Sequence, residues 1–178
     1  QRYNTVGQRN VGVGLQALEQ NTASDTNIAI GVNALRKHNL TSTGDAYNIA
    51  VGDEAGAEIT TGIYNTLIGG LAGDALTDSD YNVAIGVHAL GAETTGIGST
   101  AVGYEALKTQ NVAGGSNTQN TAIGYNAGKL IASATLNTAV GALALDAEVN
   151  GHRNTAIGYA ALSTQQSGTS TNSNNTGV

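Results

Sequence analysis

Three histidines, His38, His88 and His152, are the side chains of this sequence best suited to bind a metal or to move a proton. They are scattered along the chain at unrelated spacings, and the chain has no Cys to complete a zinc site. A metal site needs ligands that converge within a few ångströms. We therefore expect exposed polar histidines, no metal and no cofactor.

The sequence offers no better support for acid–base catalysis or for phosphate binding. Carboxylate pairs such as Asp53-Glu54 are adjacent in sequence but have no fixed acid or base partner. Catalysis would also need a pocket that shifts their pKa values apart. The glycine pairs Gly69-Gly70 and Gly114-Gly115 lack the strand, helix and Lys that phosphate binding uses, so they indicate turns. We predict that the chain is not an enzyme.

Composition narrows the class of protein further. The 178 residues include 25 Gly, 22 Thr and 19 Asn, and 7 basic against 13 acidic residues give a net charge of −6. So few cations cannot neutralise many phosphates, and nucleic acid is not an expected partner. The apolar runs fall far short of the roughly 20 residues that span a bilayer, so we expect no membrane insertion by this segment. The chain does not open on a charged segment followed by an apolar one, so we expect no signal peptide, and the absence of an initial Met suggests a fragment or a processed product.

A nine-residue block, exemplified by NIAIGVNAL at 27–35, dominates the sequence and must position any functional residue. The repeat unit is seventeen residues long, with four extra residues in three copies. Degenerate copies at 4–7 and 175–178 indicate one tandem-repeat domain over 1–178, with truncated repeats at both ends, and we expect it to be a fragment of a longer repeat protein. The nine complete blocks begin at Asn10, Asn27, Asn48, Asn65, Asn82, Ser99, Asn120, Asn137 and Asn154.

Within the block, β-branched or Thr residues at positions two and four alternate with small residues at three and five, which is typical of a short strand. Position five is always Gly, which indicates a bend or a left-handed backbone position that a Cβ would obstruct. Position four is always Ile or Val. Because burial rewards size, we expect this column to form the interior, with the Ala of position eight beside it. The predicted core ladder is Val13, Ile30, Val51, Ile68, Ile85, Val102, Ile123, Val140 and Ile157.

The segments that join the blocks are rich in Thr, Ser, Asn, Gly and Asp, which favours turns. All inserts fall in these segments, so we expect them to bulge outward. The three long segments, 36–47, 108–119 and 163–174, are candidate contact surfaces. The first carries Arg36, Lys37 and His38 as possible ligand contacts, although a solvated bump is the plainer interpretation. A helical repeat is disfavoured, because Gly, Thr and Asn are poor helix formers.

The seven tyrosines occupy only two positions of the repeat. Tyr47, Tyr64 and Tyr81 precede consecutive blocks at a spacing of one repeat unit, so we expect their rings to stack as a ladder. Such a ladder can stabilise the solenoid or an interface through aromatic contacts. Alternatively, it offers an aromatic strip suited to sugar rings. The Asn that opens the block is expected to satisfy turn backbone or to form a side-chain ladder of its own.

The block N-[T/V/I]-A-[I/V]-G-x-x-A resembles the head repeat of YadA-type trimeric autotransporter adhesins, and it is similar to NTAIG-type repeats of phage tail fibres and other trimeric surface fibres. The resemblance covers about residues 4–178. It implies an all-β repeat solenoid, namely a left-handed parallel β-roll of about nine coils. Each coil would consist of one repeat unit in its short or its long form, and three chains would pack side by side. It also implies an extracellular place, on a bacterial cell surface or a virion, and non-catalytic attachment to a surface. The adhesin repeat is usually shorter and ends in Ser rather than Ala-Leu, so the resemblance does not separate adhesin from tail fibre.

Three functional hypotheses remain open. The first is an adhesive segment of a homotrimeric fibre with a glycan or protein receptor, which gains avidity from repeated weak contacts. The second is a structural spacer of a phage tail fibre with no ligand. The third is an ice-binding solenoid, which the irregular mixture of Val, Ile and Thr at position two disfavours.

Overall fold

Backbone pairing between successive blocks builds the whole structure. The computed structural model describes residues 6–112, 114–167 and 171–178, and each complete block contributes one three-residue strand to it. Ten strands form one parallel sheet, and the described residues contain no helix, so the fold is the predicted all-β solenoid. In sheet order the strands are β1 (Val11–Val13), β3 (Ile28–Ile30), β5 (Ile49–Val51), β6 (Thr66–Ile68), β7 (Val83–Ile85), β8 (Thr100–Val102), β9 (Thr121–Ile123), β10 (Thr138–Val140), β12 (Thr155–Ile157) and β14 (Thr176–Gly177).

The register pairs equivalent block positions across both the short and the long form of the repeat unit. Ala29 pairs with Ala50 across the longer unit, and Ala50 pairs with Leu67 across the shorter one. The partial copy at the C-terminus continues the sheet, with Thr176 opposite Thr155. The degenerate copy at 4–7 lies partly outside the described residues.

Each long segment rejoins the preceding coil after its bulge. Two small parallel sheets do this at the first and third long segments, and a single bridge between Ile97 and Asn117 does it at the second. Residues 41–43 and 114–117 at the bulges are exposed, as predicted, whereas 168–170 lie outside the described residues. The small sheets pair β2 (Ser24–Asp25) with β4 (Gly44–Asp45) and β11 (Gly151–His152) with β13 (Thr171–Asn172).

The interior is lined by positions three, eight, nine and twelve, and the prediction that position four forms it is wrong. Ala29, Ala84 and Ala139 at position three are fully buried. Strand alternation places positions two and four together on the opposite, outward side. Large residues from positions nine and twelve fill the space beneath the strand, which leaves room only for Ala in most coils. The outward, half-buried or exposed residues are Val13, Ile30, Val51, Ile68, Ile85, Val102, Ile123, Val140 and Ile157.

In each coil the large aliphatic side chain comes either from position nine or from position twelve. A Cβ added to Gly56 at position nine would lie 2.6 Å from the Leu67 side chain and 3.1 Å from that of Ile59, which fills the space from position twelve. Where position nine is Leu, position twelve is polar. The interior therefore holds one large aliphatic residue from these two positions in each coil. The pairs are Leu18/Asn21, Leu35/His38, Gly56/Ile59, Gly73/Leu76, Leu90/Glu93, Leu107/Gln110, Gly128/Ile131, Leu145/Glu148 and Leu162/Gln165.

A ladder of buried asparagines confirms the expectation for position one. The Asn65 backbone N–H donates to Asn48 Oδ1 at 2.9 Å, and the Asn82 N–H donates to Asn65 Oδ1 at 3.0 Å. The Asn65 side-chain amide also donates to the Ser79 carbonyl at 2.7 Å, which closes the turn before the next strand. Ser99 interrupts the ladder, because the Asn120 N–H reaches its hydroxyl only at 3.4 Å. Each such pair satisfies backbone that burial would otherwise leave without water.

Candidate self-association and ligand-contact surfaces

The outward side of the main sheet and the positions that flank its strands carry seventeen of the twenty large apolar residues that the described part of the chain leaves exposed. They occupy positions two, four and six of the block and the position immediately before it, which we call position zero. Their side chains are 36–79% exposed, with Tyr159 the highest. The members are Val11, Ile28, Val13, Ile30, Ile68, Ile123, Ile157, Leu15, Val32, Val87, Tyr104, Tyr125, Tyr159, Tyr47, Tyr64, Tyr81 and Leu136.

The continuous apolar part of this surface is the column at position four, which is Ile or Val in every complete block. Position two is Thr in five of the nine blocks, and position six includes Asp53, Gly70 and Ala142. At about 4.8 Å per coil, the position-four column runs about 38 Å along the nine coils. Contiguous exposed apolar surface is typical of interaction sites.

The three tyrosines at position zero stack as predicted. The ring centroids of Tyr47 and Tyr64 are 5.6 Å apart at an interplanar angle of 12°, and those of Tyr64 and Tyr81 are 5.0 Å apart at 6°. Stacked rings cover each other's faces, so the ladder presents ring edges and hydroxyls along its length. An open strip of ring faces, as the sugar hypothesis assumed, is therefore not formed. Ring faces can be open only at the two ends of the stack.

One end of the tyrosine ladder opens into a groove of about 330 Å³. Its apolar floor is formed by Val11, Ile28 and Ile49, and its walls include Arg9, Thr26 and Tyr47. Because the floor belongs to position two, the groove is continuous with the apolar face. The other end of the ladder, at Tyr81, lies next to Gly98, which has no side chain.

Asp45 organises the polar rim of this groove. Its carboxylate accepts from the Arg9 guanidinium at 2.6 Å, from the Thr26 hydroxyl and from the Tyr47 hydroxyl at 3.2 Å. The bond from Thr26, together with that from Arg9, holds the pKa of Asp45 below its ordinary value. Asp45 in turn raises the pKa of Arg9 and of Tyr47. The rim is thus internally neutralised and offers no free cation.

The basic cluster predicted as a contact site is not a free patch. Arg36 bonds Glu58 of the next coil at 2.9 Å, and Lys37 pairs with the same carboxylate. Lys37 is the main cause of the lowered pKa of Glu58. His38 is fully buried at position twelve, so it cannot touch a ligand and the prediction for it is wrong. Neither ring nitrogen has a hydrogen-bond partner, and burial lowers the pKa of His38 to about 4.

A second tyrosine pair lies at position six beside a compact ion cluster. The rings of Tyr104 and Tyr125 stack at 5.5 Å and 10°. Next to them, Glu105 bonds Lys108 at 2.6 Å and Lys129 at 2.5 Å. The hydrogen bonds from Lys108 and Lys129 lower the pKa of Glu105 to about 2, so the cluster stays ionised over the physiological range.

Two buried carboxylates that sequence reasoning missed anchor long segments. Glu93 Oε1 accepts from the Gly96 N–H at 2.7 Å, and Glu93 Oε2 accepts from the Gln110 side chain of the next coil at 3.0 Å. Glu148 repeats the arrangement with Gly151 at 2.7 Å and Gln165 at 3.0 Å. Burial raises the pKa of Glu148, but the hydrogen bonds from the Gly151 and Ser167 N–H groups outweigh it and lower that pKa overall. The signal in the sequence was the recurrence of Glu at position twelve with Gln at the same position of the next coil.

The part of the chain that the structure describes holds no group of three or more His, Asp or Glu side chains arranged for a metal ion. Among the same residues, no helix is long and apolar enough to cross a membrane. Comparison of the chain with protein-family models, curated proteins and solved structures finds no significant match.

Proposed function

We propose that this chain is a segment of a homotrimeric extracellular fibre, on a bacterial cell surface or a virion, that attaches to another surface without catalysis. The observation that carries the proposal is the outward apolar face of the solenoid. Val13 and Ile30 at position four are 56% and 39% exposed although their side chains are large and β-branched. In a fibre of parallel chains the same column would be covered by the neighbouring copies.

The repeat makes a parallel, in-register assembly of copies the natural way to cover this face. Every complete block presents Ile or Val at position four, so a contact made by one coil through this position is repeated by the others at the same spacing. An edge-on or antiparallel arrangement would lose this match. The number of three chains and the left-handed course of the roll are taken from the resemblance to adhesin and tail-fibre repeats.

Attachment would then use groups outside the covered position-four column. Three parallel chains would present each bulge and each tyrosine ladder in triplicate, and linked weak contacts gain avidity from effective concentration. The exposed tips at 41–43 and 114–117 project from a scaffold whose buried carboxylate Glu93 holds the second of them in place. The receptor class suited to such surfaces is a glycan or a protein.

Cysteine cross-linking tests the assembly directly, because the native chain has no Cys. We expect Ile123→Cys, on the apolar face, to form an intermolecular disulfide under mild oxidation at low protein concentration. The matched control is Thr41→Cys, which is exposed at a bulge tip and should remain a free thiol. Equal cross-linking of the two variants, or none at position 123, contradicts packing through this face.

A structural spacer without a ligand is the second candidate, and the pairing of Arg36 and Lys37 with Glu58 favours it, since the first long segment offers no free charge. Shortening the three long segments by their four-residue inserts separates the two functions. If the chain adheres to a panel of bacterial and animal cells, loss of binding in the shortened chain supports attachment through the bulges. Unchanged binding would assign the bulges to the spacer and the contact to another surface.

A further inference from the structure

The geometry points to a binding slot for one neutral pyranose ring of a glycan at the Gly98 end of the tyrosine ladder, between Tyr81 and Gln119. This inference rests on the proposed attachment function and deepens it, because it names a ligand class and a site. Tyr81, Gly98 and Gln119 occupy position zero of three successive coils, since Val83, Thr100 and Thr121 two residues later are register partners.

The backbone at position 98 takes a left-handed conformation, in which a side chain is strained but which other residues of the same column adopt. Its φ of 78° lies in the left-handed region, but Tyr81, Gln119 and Leu136 take φ values of 59°, 47° and 63° at the same position with full side chains. A Cβ added to Gly98 would meet only Gln119 Cγ, at an ordinary contact distance of 3.6 Å. The fold would therefore accept a side chain here. Its absence leaves the outer face of Tyr81 uncovered, and Tyr81 is the most exposed ring of the ladder at 57%.

The gap is bordered closely on one side by Gln119, whose Cγ lies 3.6 Å from the place that a Cβ of Gly98 would occupy. On the other side lies the exposed ring of Tyr81. A ligand bound here would therefore contact an aromatic face and a polar side chain together.

The groups around the gap match the two faces of a sugar. The open face of Tyr81 suits a patch of C–H groups. The Gln119 carboxamide is exposed on the opposite side and can both donate and accept hydrogen bonds.

The charge and the surroundings of the gap favour a neutral ligand. The nearest carboxylate in sequence to Tyr81, Asp80, accepts from the Ile63 N–H at 2.8 Å and so serves the backbone. Gln119 ends the second long segment, whose exposed tip at 114–117 gives the rest of a glycan chain a surface to follow. A ring with one apolar face and an axial hydroxyl on the other, as in a galactopyranoside, places that hydroxyl toward Gln119.

The test is saturation-transfer NMR on the full chain with methyl β-D-galactopyranoside as the probe and methyl β-D-glucopyranoside for comparison. We expect transfer to the galactoside ring protons in the parent chain and its loss in Gly98→Tyr, because the new ring continues the ladder and fills the slot. Gln119→Ala keeps the slot but removes one neutral hydrogen bond, so its affinity should fall about three- to tenfold.

Thr26→Tyr is the matched control, because it adds the same ring to the opposite end of the same ladder. It should bind the galactoside as the parent does. Absence of transfer in the parent, or equal transfer in parent and Gly98→Tyr, overturns the proposal. Loss of transfer in Thr26→Tyr instead moves the ligand to the Arg9 groove and also overturns it.

The solution mass of the same samples separates this inference from the proposed fibre. A Gly98→Tyr chain that changes its mass would place the slot inside the contact between copies and overturn a sugar site. An assembled parent chain with no galactoside signal leaves the fibre proposal standing and removes the slot. A monomeric parent chain whose galactoside signal is lost in Gly98→Tyr would remove the fibre proposal and leave the slot standing.

Discussion

His38 combines full burial with two unpaired ring nitrogens, and its replacement should make the fold less sensitive to acid. Gln is the best substitute, because Gln110 and Gln165 occupy position twelve in the other two long coils. His38→Gln keeps a polar residue beside Leu35 and removes the titrating ring. Above the ordinary histidine pKa, we expect the stability of the variant and that of the parent to depend on pH in nearly the same way.

The magnitude follows from the depressed pKa. Burial lowers the pKa of His38 from its ordinary value of 6.5 to about 4, although the nearby Thr60 backbone favours the protonated ring slightly. Between these values the unfolded chain takes up a proton that the folded chain does not, so stability falls as pH falls from 6.5 to 4. The full loss is about 3 kcal/mol. All carboxylates are common to both proteins, so their titration cancels in the difference.

Urea unfolding followed by circular dichroism at pH 7 and pH 4 measures this difference. The free energy of unfolding of His38→Gln should gain about 3 kcal/mol on the parent between the two pH values. His88→Gln is the matched control, since Gln16 shows that position seven accepts Gln and His88 is only half-buried. Parallel pH dependence in the parent and His38→Gln would refute the burial argument, as would an equal gain in His88→Gln.

Two further pairs of substitutions probe the contacts that hold the coils together. Asn65→Ala removes the acceptor of the buried Asn82 N–H and should lower the free energy of unfolding by about 2–4 kcal/mol. Asn65→Ser should lower it less, because Ser99 serves at the same position. Equal losses of the two variants in urea unfolding would count against the asparagine ladder. Gly124→Ala places a Cβ 2.6 Å from the Gly141 carbonyl and should lower the melting temperature sharply. In the control Gly70→Ala the added Cβ meets nothing nearer than 4.0 Å, so stability should change by less than about 0.5 kcal/mol. Similar melting temperatures of the two variants would contradict the close approach of the coils.

The repeat made the parallel pairing predictable from sequence, because a block that recurs at two different spacings can stay in register only if the inserts bulge out. Stacking of Tyr47, Tyr64 and Tyr81 followed from the same regularity. The repeat does not predict which side of the strand faces the interior. Alternation shows that positions two and four share a side, but it does not say which side is inside, and the larger side chains were wrongly placed there.

A volume signal in the sequence could have settled the question. Gly56 with Ile59 and Leu35 with His38 show bulk exchanging between positions nine and twelve, as a confined interior requires. Position four shows no such compensation. The anchoring role of Glu93 was hidden for another reason, since a carboxylate in a Thr-rich segment resembles a surface residue until its backbone donors are in place.

The solution mass of the chain, measured by light scattering during size-exclusion chromatography, tests the outward apolar face most directly. One chain weighs 17.8 kDa, and we expect the parent to run at three times that mass. Ile123→Glu, which places a charge in the middle of the face, should run at the mass of a single chain while keeping its β-type circular dichroism. A parent chain near 17.8 kDa, or an Ile123→Glu variant that keeps the trimeric mass, would contradict the account.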